Sequence, residues 1–371
     1  MYSTTYEARL ARTLAAVSMD PVDKIPFSYN GPAYLAREMG LTMGEYVHDF
    51  PKSTDAAVEF CRRHPGIDSI HSPIMEPRAL STLWLAPAKV PGEELPEDEL
   101  WQVEEQEIVT FEDYEAILRE GYGPWSERVM TERLNAPHKK MAPYISYLPE
   151  TIRKLKDSGV PVLNQGSCGS PFEHLCGGRT LTQFFMDILD EPELVKAVLD
   201  KAMEFEQAQF AAQLENTHPL GAWVGGWRAA PQMMGHDMWL EFAWPYIKKM
   251  VEIAVEHDVL PVLHFDSCWD RELETLKELP ARKCMLMLDG TTDIRKARSI
   301  LGDHMCIMGD VPAQLLAFGS ENEVYEYVTK LIDDVGPKTG FIVSSGCDAP
   351  LNAKPENISA MIQATEDYRT K

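Results

Sequence analysis

Positive charge is scarce in this chain: 35 Lys and Arg stand against 58 Asp and Glu over 371 residues, a formal balance of −23. A field of that sign repels phosphate backbones and anionic headgroups, which argues against nucleic acid or a membrane surface as a partner. Long apolar runs are missing too, none reaching the roughly 18 residues that a membrane-spanning helix needs. The opening stretch MYSTTYEARLARTLAAV carries charges where a signal peptide has an unbroken apolar core. Cysteine is sparse and odd in number, seven in all (Cys61, Cys168, Cys176, Cys268, Cys284, Cys306, Cys347), at spacings unlike a disulfide framework. These features read together as an unsecreted, cytoplasmic protein kept reduced. Internal repeats, low-complexity tracts and linker-bounded domains are also lacking.

What is present is ordinary globular composition, 44% hydrophobic and 25% charged, arranged as eight short apolar runs of strand length. They are KIPFSY (24–29), DSIHSP (68–73), VPVLNQ (160–165), GAWVGG (221–226), VLPVLH (259–264), CMLMLD (284–289), MCIMGD (305–310) and FIVSSG (341–346). The last four are nearly continuous in Val, Ile, Leu and Met, as parallel strands covered on both faces tend to be. Helical patterns lie between them at 239–257, with Pro245 in the first turns or at a kink, and at 270–279, 292–301 and 321–334. Another helix leads the chain within 1–20, and a closing one starts after Pro355. Eight alternations predict a (β/α)8 TIM barrel. An open doubly wound sheet would show a glycine fingerprint after its first strand, and KIPFSYNGPAY has none. The chain is expected to form one domain over 1–371, with 74–159 as an elaborated insertion after the second strand.

A parallel barrel draws its functional groups from the C-terminal ends of its strands, where the loops converge on one mouth. That rule selects Tyr29, Asn30, His71, Asn164, Gln165, Trp227, Arg228, His264, Asp266, Asp289, Asp310 and Cys347. His264, Asp266 and Cys347, with Cys268 as an alternative ligand, bring imidazole, carboxylate and thiolate together, the donor types of a zinc site with an open position. Buried packing is the competing reading for any one of them. Asp289 and Asp310 suit proton transfer or ligand binding, and equally suit capping of the following loop. Arg228 suits a carboxylate clamp, with plain surface exposure as the alternative. Trp223, Trp227, Met233, Met234 and Trp239 suit either a pocket for a flat ligand or core packing. GSCGSPFEHLCGG (166–178) has cysteines spaced too widely for a zinc knuckle, and its glycines are expected to shape a loop with a helix starting near Thr180. Cys168, Cys176, Glu173 and His174 are held in reserve there.

The runs PVLHFDSCWDRELETLKELP, LDGTTDIRKARSILGDHMCIMGDVPAQLLAFGSENEV and FIVSSGCDAPLNAKPENISAMI resemble the C-terminal half of the uroporphyrinogen-decarboxylase-like superfamily. DPVDKIPF and EFAWPYIKKMVE extend the resemblance over most of the chain, with 74–159 matching least. The resemblance implies a (β/α)8 barrel. Metal-free decarboxylases of this superfamily bind a polycarboxylate through an arginine-rich N-terminal segment, a pattern that PFSYNGPAYLAREMG lacks. The corrinoid-linked methyltransferase branch looks like His-x-Cys plus a late Cys in a Ser-Gly-Cys context around zinc. This chain keeps His264 and Cys347 and carries Asp266 in place of the first Cys, which implies a harder ion suited to an ether oxygen.

The resemblance therefore implies an O-demethylating methyltransferase that moves a methyl group from a methoxylated aromatic compound to the Co(I) of a corrinoid (cobalamin) held by a partner protein, with Zn2+ bound by His264, Asp266 and Cys347. Asp289, Asp310 and Tyr29 are the expected catalytic groups, and Trp227, Arg228, Asn30, His71 and Met233 the expected substrate contacts. The alternatives are transfer from a methyl-corrinoid to a thiol of the coenzyme M type or to a pterin, metal-free decarboxylation, or a corrinoid-binding module without chemistry.

Overall fold

The computed structural model describes residues 2–336 and 339–368. Strand β1 (Ser28–Tyr29) pairs in parallel with β2 (Ser69–Ile70). Strands β3 (Gly166–Cys168), β4 (Gly221–Gly226), β5 (Leu260–Phe265), β6 (Met285–Leu288), β7 (Cys306–Val311) and β8 (Phe341–Ser345) form a six-stranded parallel sheet in that order. Two seams join the pieces: Phe27 bridges Val343 of β8, and Ile70 of β2 bridges Val162 just ahead of β3. Backbone bonds from Val343 to Pro26 (2.9 Å) and from Leu163 to Ile70 (2.8 Å) carry the ladder across both seams, closing the ring of a (β/α)8 barrel. The eight apolar runs mark its eight staves. The third is displaced, since its regular part begins at Gly166 and Val162 contributes a single bridge.

Alternation along each strand builds two cores. Leu163, Leu260, Val262, Met285, Met287, Cys306, Met308 and Ile342 fill the barrel floor, and Ala16, Val17 and Met19, at the end of the leading helix Tyr6–Val17, close it from below. Leu263, Phe265, Leu286, Leu288, Ile307 and Val343 face outward into the larger core shared with the helices. No described helix is long and apolar enough to cross a membrane.

The helices follow their sequence signals with three exceptions. Asp293 caps Ile294–Leu301, a Ser320–Glu323 capping box opens Glu321–Val335, and Pro355 takes the first turn of Pro355–Asp367. The expected helix over 239–257 is split into His236–Phe242 and Trp244–Glu256, because Pro245 fits only at the start of the second piece. Residues 270–279 form no α-helix and contain only the 3-10 turn Thr275–Glu278. Tertiary contacts decide this: Trp269 stacks on Phe265 at 4.0 Å, and fully buried Glu272 pairs with His236 and Arg271. In the glycine-containing stretch 166–178 a helix runs from Pro171 to Arg179 instead of a loop, capped by Ser170. Gly177 and Gly178 are packing residues there: a Cβ on Gly177 would lie 2.1 Å from the Trp84 carbonyl oxygen, and one on Gly178 2.5 Å from Val109.

Within 74–159 the chain forms the helix Arg78–Trp84, a two-stranded ribbon of Ala88–Lys89 with Gln102–Val103, and helices Glu112–Glu120, Tyr122–Glu132, Pro137–Lys140 and Ala142–Asp157. Gly121, at φ 89°, makes the break between the second and third of these helices. Asp113 holds them together by accepting from Arg133, the Trp125 indole and the Thr110 amide.

Candidate active site at the barrel mouth

On β5 the inward positions are Leu260, Val262 and then His264, the last one before the mouth. The residue beside His264 in the ladder is Gly225 of β4. It has no side chain because the Trp223 ring occupies that space: a Cβ on Gly225 would lie 1.8 Å from the ring. Trp223 in turn sits 6.4 Å from the His264 ring. Gly225→Ala should therefore force Trp223 toward His264, with a cost of about 1–3 kcal/mol for overpacking. A lowered urea midpoint together with altered metal binding checks this, and an unchanged midpoint would contradict it.

Asp266 follows β5 on the same parity. Ser267 adopts a left-handed conformation, φ 70°, which turns the chain away immediately afterwards. The turn is held from the end of β6, where Asp289 accepts the Ser267 amide at 2.9 Å and the Thr292 hydroxyl accepts the Trp269 amide at 2.9 Å. Cys347 arrives from β8. The Ser345 hydroxyl donates to the Cys347 carbonyl at 2.6 Å, and Gly346 passes so close to β6 that a Cβ would sit 2.5 Å from the Asp289 carbonyl oxygen. The Ser-Gly-Cys order is thus a steric requirement of a tight turn that presents the sulfur.

The three donors converge. His264 Nε2 lies 3.5 Å from Cys347 Sγ and 3.3 Å from an Asp266 oxygen, and all three donor atoms fall within 4.8 Å of one another. A tetrahedral ion with bonds of about 2.0–2.3 Å to N, O and S spaces its donors roughly 3.3–3.6 Å apart. The residues therefore fit zinc. A nucleophile relay is a worse fit, since it would put thiol and carboxylate on opposite ring nitrogens. Here both face Nε2, while Nδ1 has no partner among the described residues. Burial works against a positive charge on His264, but Asp266 and Cys347 outweigh it and hold its pKa well above the ordinary imidazole value. Asp266 and Cys347 favour positive charge at this point, and exposed Cys347 leaves it reachable from solvent.

The remaining sequence-selected residues divide. Trp227, Arg228, Asp266 and Asp289 line one cleft of about 610 Å³. Arg228 is 3% exposed, lies 4.6 Å from the Trp227 ring and 5.6 Å from the Trp84 ring, and its Nε has no partner among the described residues. Asp289 has both oxygens engaged, by the Ser267 amide and by the amide and hydroxyl of Thr291, so it orders the loop that carries Asp266. Cys268 does not join the donor group, and its amide is tied to Gln232. His71 is buried with its Nδ1 3.3 Å from Asn164, and burial, with His264 adding to it, pushes its pKa down to about 3. Asn30 supports the Cys347 turn, its carbonyl accepting the Ala349 amide at 2.8 Å.

Three expectations meet a different placement. Tyr29 is buried and its hydroxyl donates inward to the Gly31 carbonyl at 2.8 Å, so no acid–base group is presented to the mouth. Asp310 accepts from Tyr327 at 2.9 Å, which draws its carboxylate toward the outer helix Glu321–Val335. Met233 ends a 3-10 turn and lies outside the cleft lining, while Met234 and Trp239 are core.

Sequence reasoning passed over Trp84, Val103 and Glu105, which the insertion sends into the cleft, because the strand-end rule cannot see residues brought by an insertion. It also passed over Asp348, directly after Cys347. Loss of water around its carboxyl oxygens pushes its pKa up, while His264 and the Asn30 side chain pull the other way, although the residue as a whole is exposed. Of the reserved residues, Cys176 is buried, His174 pairs with Glu206 at 2.5 Å, and Glu173 accepts three N–H groups from the cleft walls.

Comparison with known proteins gives one family and one fold. The family model described as uroporphyrinogen decarboxylase (URO-D) matches residues 117–368. A uroporphyrinogen decarboxylase of Geobacter metallireducens is 24% identical over 251 residues, covering 65% of this chain and 70% of that protein. One of Geotalea daltonii is 25% identical over 243 residues, covering 62% and 68%. Among solved structures, a methyltransferase from Methanosarcina mazei superposes with a TM-score of 0.70 at 15% identity, covering 97% of this chain and 98% of that one.

Proposed function

From the premise that this chain belongs to the uroporphyrinogen decarboxylase family, we propose that it is a zinc-dependent methyltransferase of that fold, taking a methyl group from a methoxylated aromatic compound and delivering it to a corrinoid carried by a separate protein. The observation that carries this reading is the convergence of the His264, Asp266 and Cys347 donor atoms within 4.8 Å of one another, with Asp266 also lining a cleft that holds Trp84 and Trp227. The fold neighbour is itself described as a methyltransferase.

An aryl methyl ether releases its methyl group only when the oxygen is protonated or coordinated. Zinc held by the three donors would supply a Lewis acid at that oxygen. The chain's own residues do the rest. Trp227 and Trp84, packed edge to face at 5.5 Å, offer one aromatic surface to the ring, Arg228 meets an anionic substituent on it, and Asp289 keeps the Asp266 loop in place. The carbon–oxygen bond breaks, the methyl group passes to the reduced corrinoid entering from the mouth, and the phenolic oxygen left behind takes up one proton.

The relatives' names favour a second reading, decarboxylation of a polycarboxylate without metal. The charge of the cleft weighs against it: Glu105, Asp266 and Asp289 line it against one cation, Arg228. The test is zinc analysis of fresh protein, followed by turnover of a methoxybenzoate with a reduced corrinoid protein before and after chelation. Stoichiometric zinc and a chelator-sensitive corrinoid spectral change are expected. Activity without any metal would end the proposal.

A further inference from the structure

We infer that Glu173 is a positioning residue that sets the two tryptophan walls of the cleft and so selects planar donors; this rests on the substrate reading above. Glu173 sits in the first turn of the helix Pro171–Arg179 and is 2% exposed. One carboxylate oxygen accepts the Trp227 and Ala229 amides, both at 2.8 Å, and the other accepts the Trp84 indole N–H at 3.1 Å. These donors come from two separate parts of the chain, the loop after β4 and the insertion helix Arg78–Trp84. A single buried side chain therefore ties both walls to one helix.

The same helix holds Trp84 a second time through Gly177, on which the Trp84 carbonyl rests. With its backbone and its indole nitrogen both held, the orientation of the Trp84 ring is determined. The two rings stand 5.5 Å apart at 62°, with the Arg228 guanidinium against both. A carboxylate suits this place because it only accepts, and three donors face it. An amide of the same size must turn its NH2 toward one of those donors. The arrangement that keeps two backbone bonds sets the NH2 against the Trp84 indole, so the damage falls on that wall. None of these contacts involves His264, Asp266 or Cys347.

The test uses Glu173→Gln with benzoate as a planar anionic probe and acetate as a small one, each titrated by calorimetry, with zinc content measured alongside. Losing a hydrogen bond to a charged group weakens benzoate binding roughly tenfold or more, while acetate binding and zinc content stay at their original levels. Acrylamide quenching of Trp84, obtained by difference from Trp84→Phe, rises in Glu173→Gln. Trp84→Phe, which removes the indole donor and leaves the carboxylate, reproduces the selective loss of benzoate. Equal benzoate binding and unchanged quenching in Glu173→Gln overturn this inference alone. If benzoate fails to bind the unaltered protein, the substrate reading falls and this inference falls with it.

Discussion

Replacing either His264 or Cys347 by alanine should remove the bound ion and abolish methyl transfer while the barrel stays folded. With three protein ligands, losing one leaves two, too few for a catalytic zinc site. On the proposed mechanism the ion would make the ether oxygen a competent leaving group, so the expected fall in turnover is on the order of a thousandfold or more. The fold should tolerate both changes. Cys347 is exposed on a turn pinned by Ser345 and Gly346, and neither pin uses the sulfur. His264 stands at the top of the barrel interior, above the apolar floor of Val262, Met285 and Met308. Asp266→Cys is the natural control, because it exchanges one zinc ligand for another and should keep the ion. Zinc content, circular dichroism and methyl transfer are to be measured on all three variants. Full transfer by both alanine variants would remove the metal from the mechanism.

The largest effect on stability is expected far from the mouth, for Asp68→Ala. Asp68 is 1% exposed at the barrel base, where it accepts from Arg12 at 2.5 Å, from Lys24 at 3.0 Å and from the Phe27 amide at 2.9 Å. Arg12 and Lys24 are equally buried. Deleting the carboxylate takes one partner from each of two buried cations and the acceptor from the Phe27 amide. Breaking a buried pair from one side costs about 3–5 kcal/mol. Arg12 retains Asp23 and Lys24 retains Glu366, so about 3 kcal/mol is expected. Urea unfolding measures it. A change below about 1 kcal/mol, the value of an exposed pair, would show that the network is wetter than its burial implies. Asp68→Asn keeps an acceptor for the Phe27 amide and loses only the charge, so it separates the two contributions.

Much of the fold was legible because barrel strands are covered on both faces. Runs such as CMLMLD and MCIMGD have to be apolar at consecutive positions, and that pattern stands out in a single sequence. Helix starts were legible for a local reason: Asp293, Glu321 and Pro355 act within one turn of their own position. The segment 270–279 was misread because its charge pattern suits a helix while the Trp269 amide and Glu272 are held by Thr292 and His236, far away in the chain. The stretch 166–178 was misread because Gly177 and Gly178 are required by close packing against Trp84 and Val109, and not by a turn.

The site divides along the same line. Chain order and residue type alone determined that polar groups gather at strand ends, and that an imidazole at the end of β5 and a thiol after β8 stand on one rim, since parallel strands in a ring leave their C-terminal ends on one side. Only the tertiary structure decided which of those groups are free to act. Asp310 and Tyr29 hold the right positions in the list, but their oxygens are engaged by Tyr327 and Gly31, and Asp289 is held by its own loop. Tertiary structure also brought Trp84 and Glu105 into the cleft and set Glu173 beneath its walls. The physical reason is range: alternation and capping act between residues a few positions apart. The partner that satisfies a buried hydrogen-bonding group can come from anywhere in the chain, and no local pattern records it.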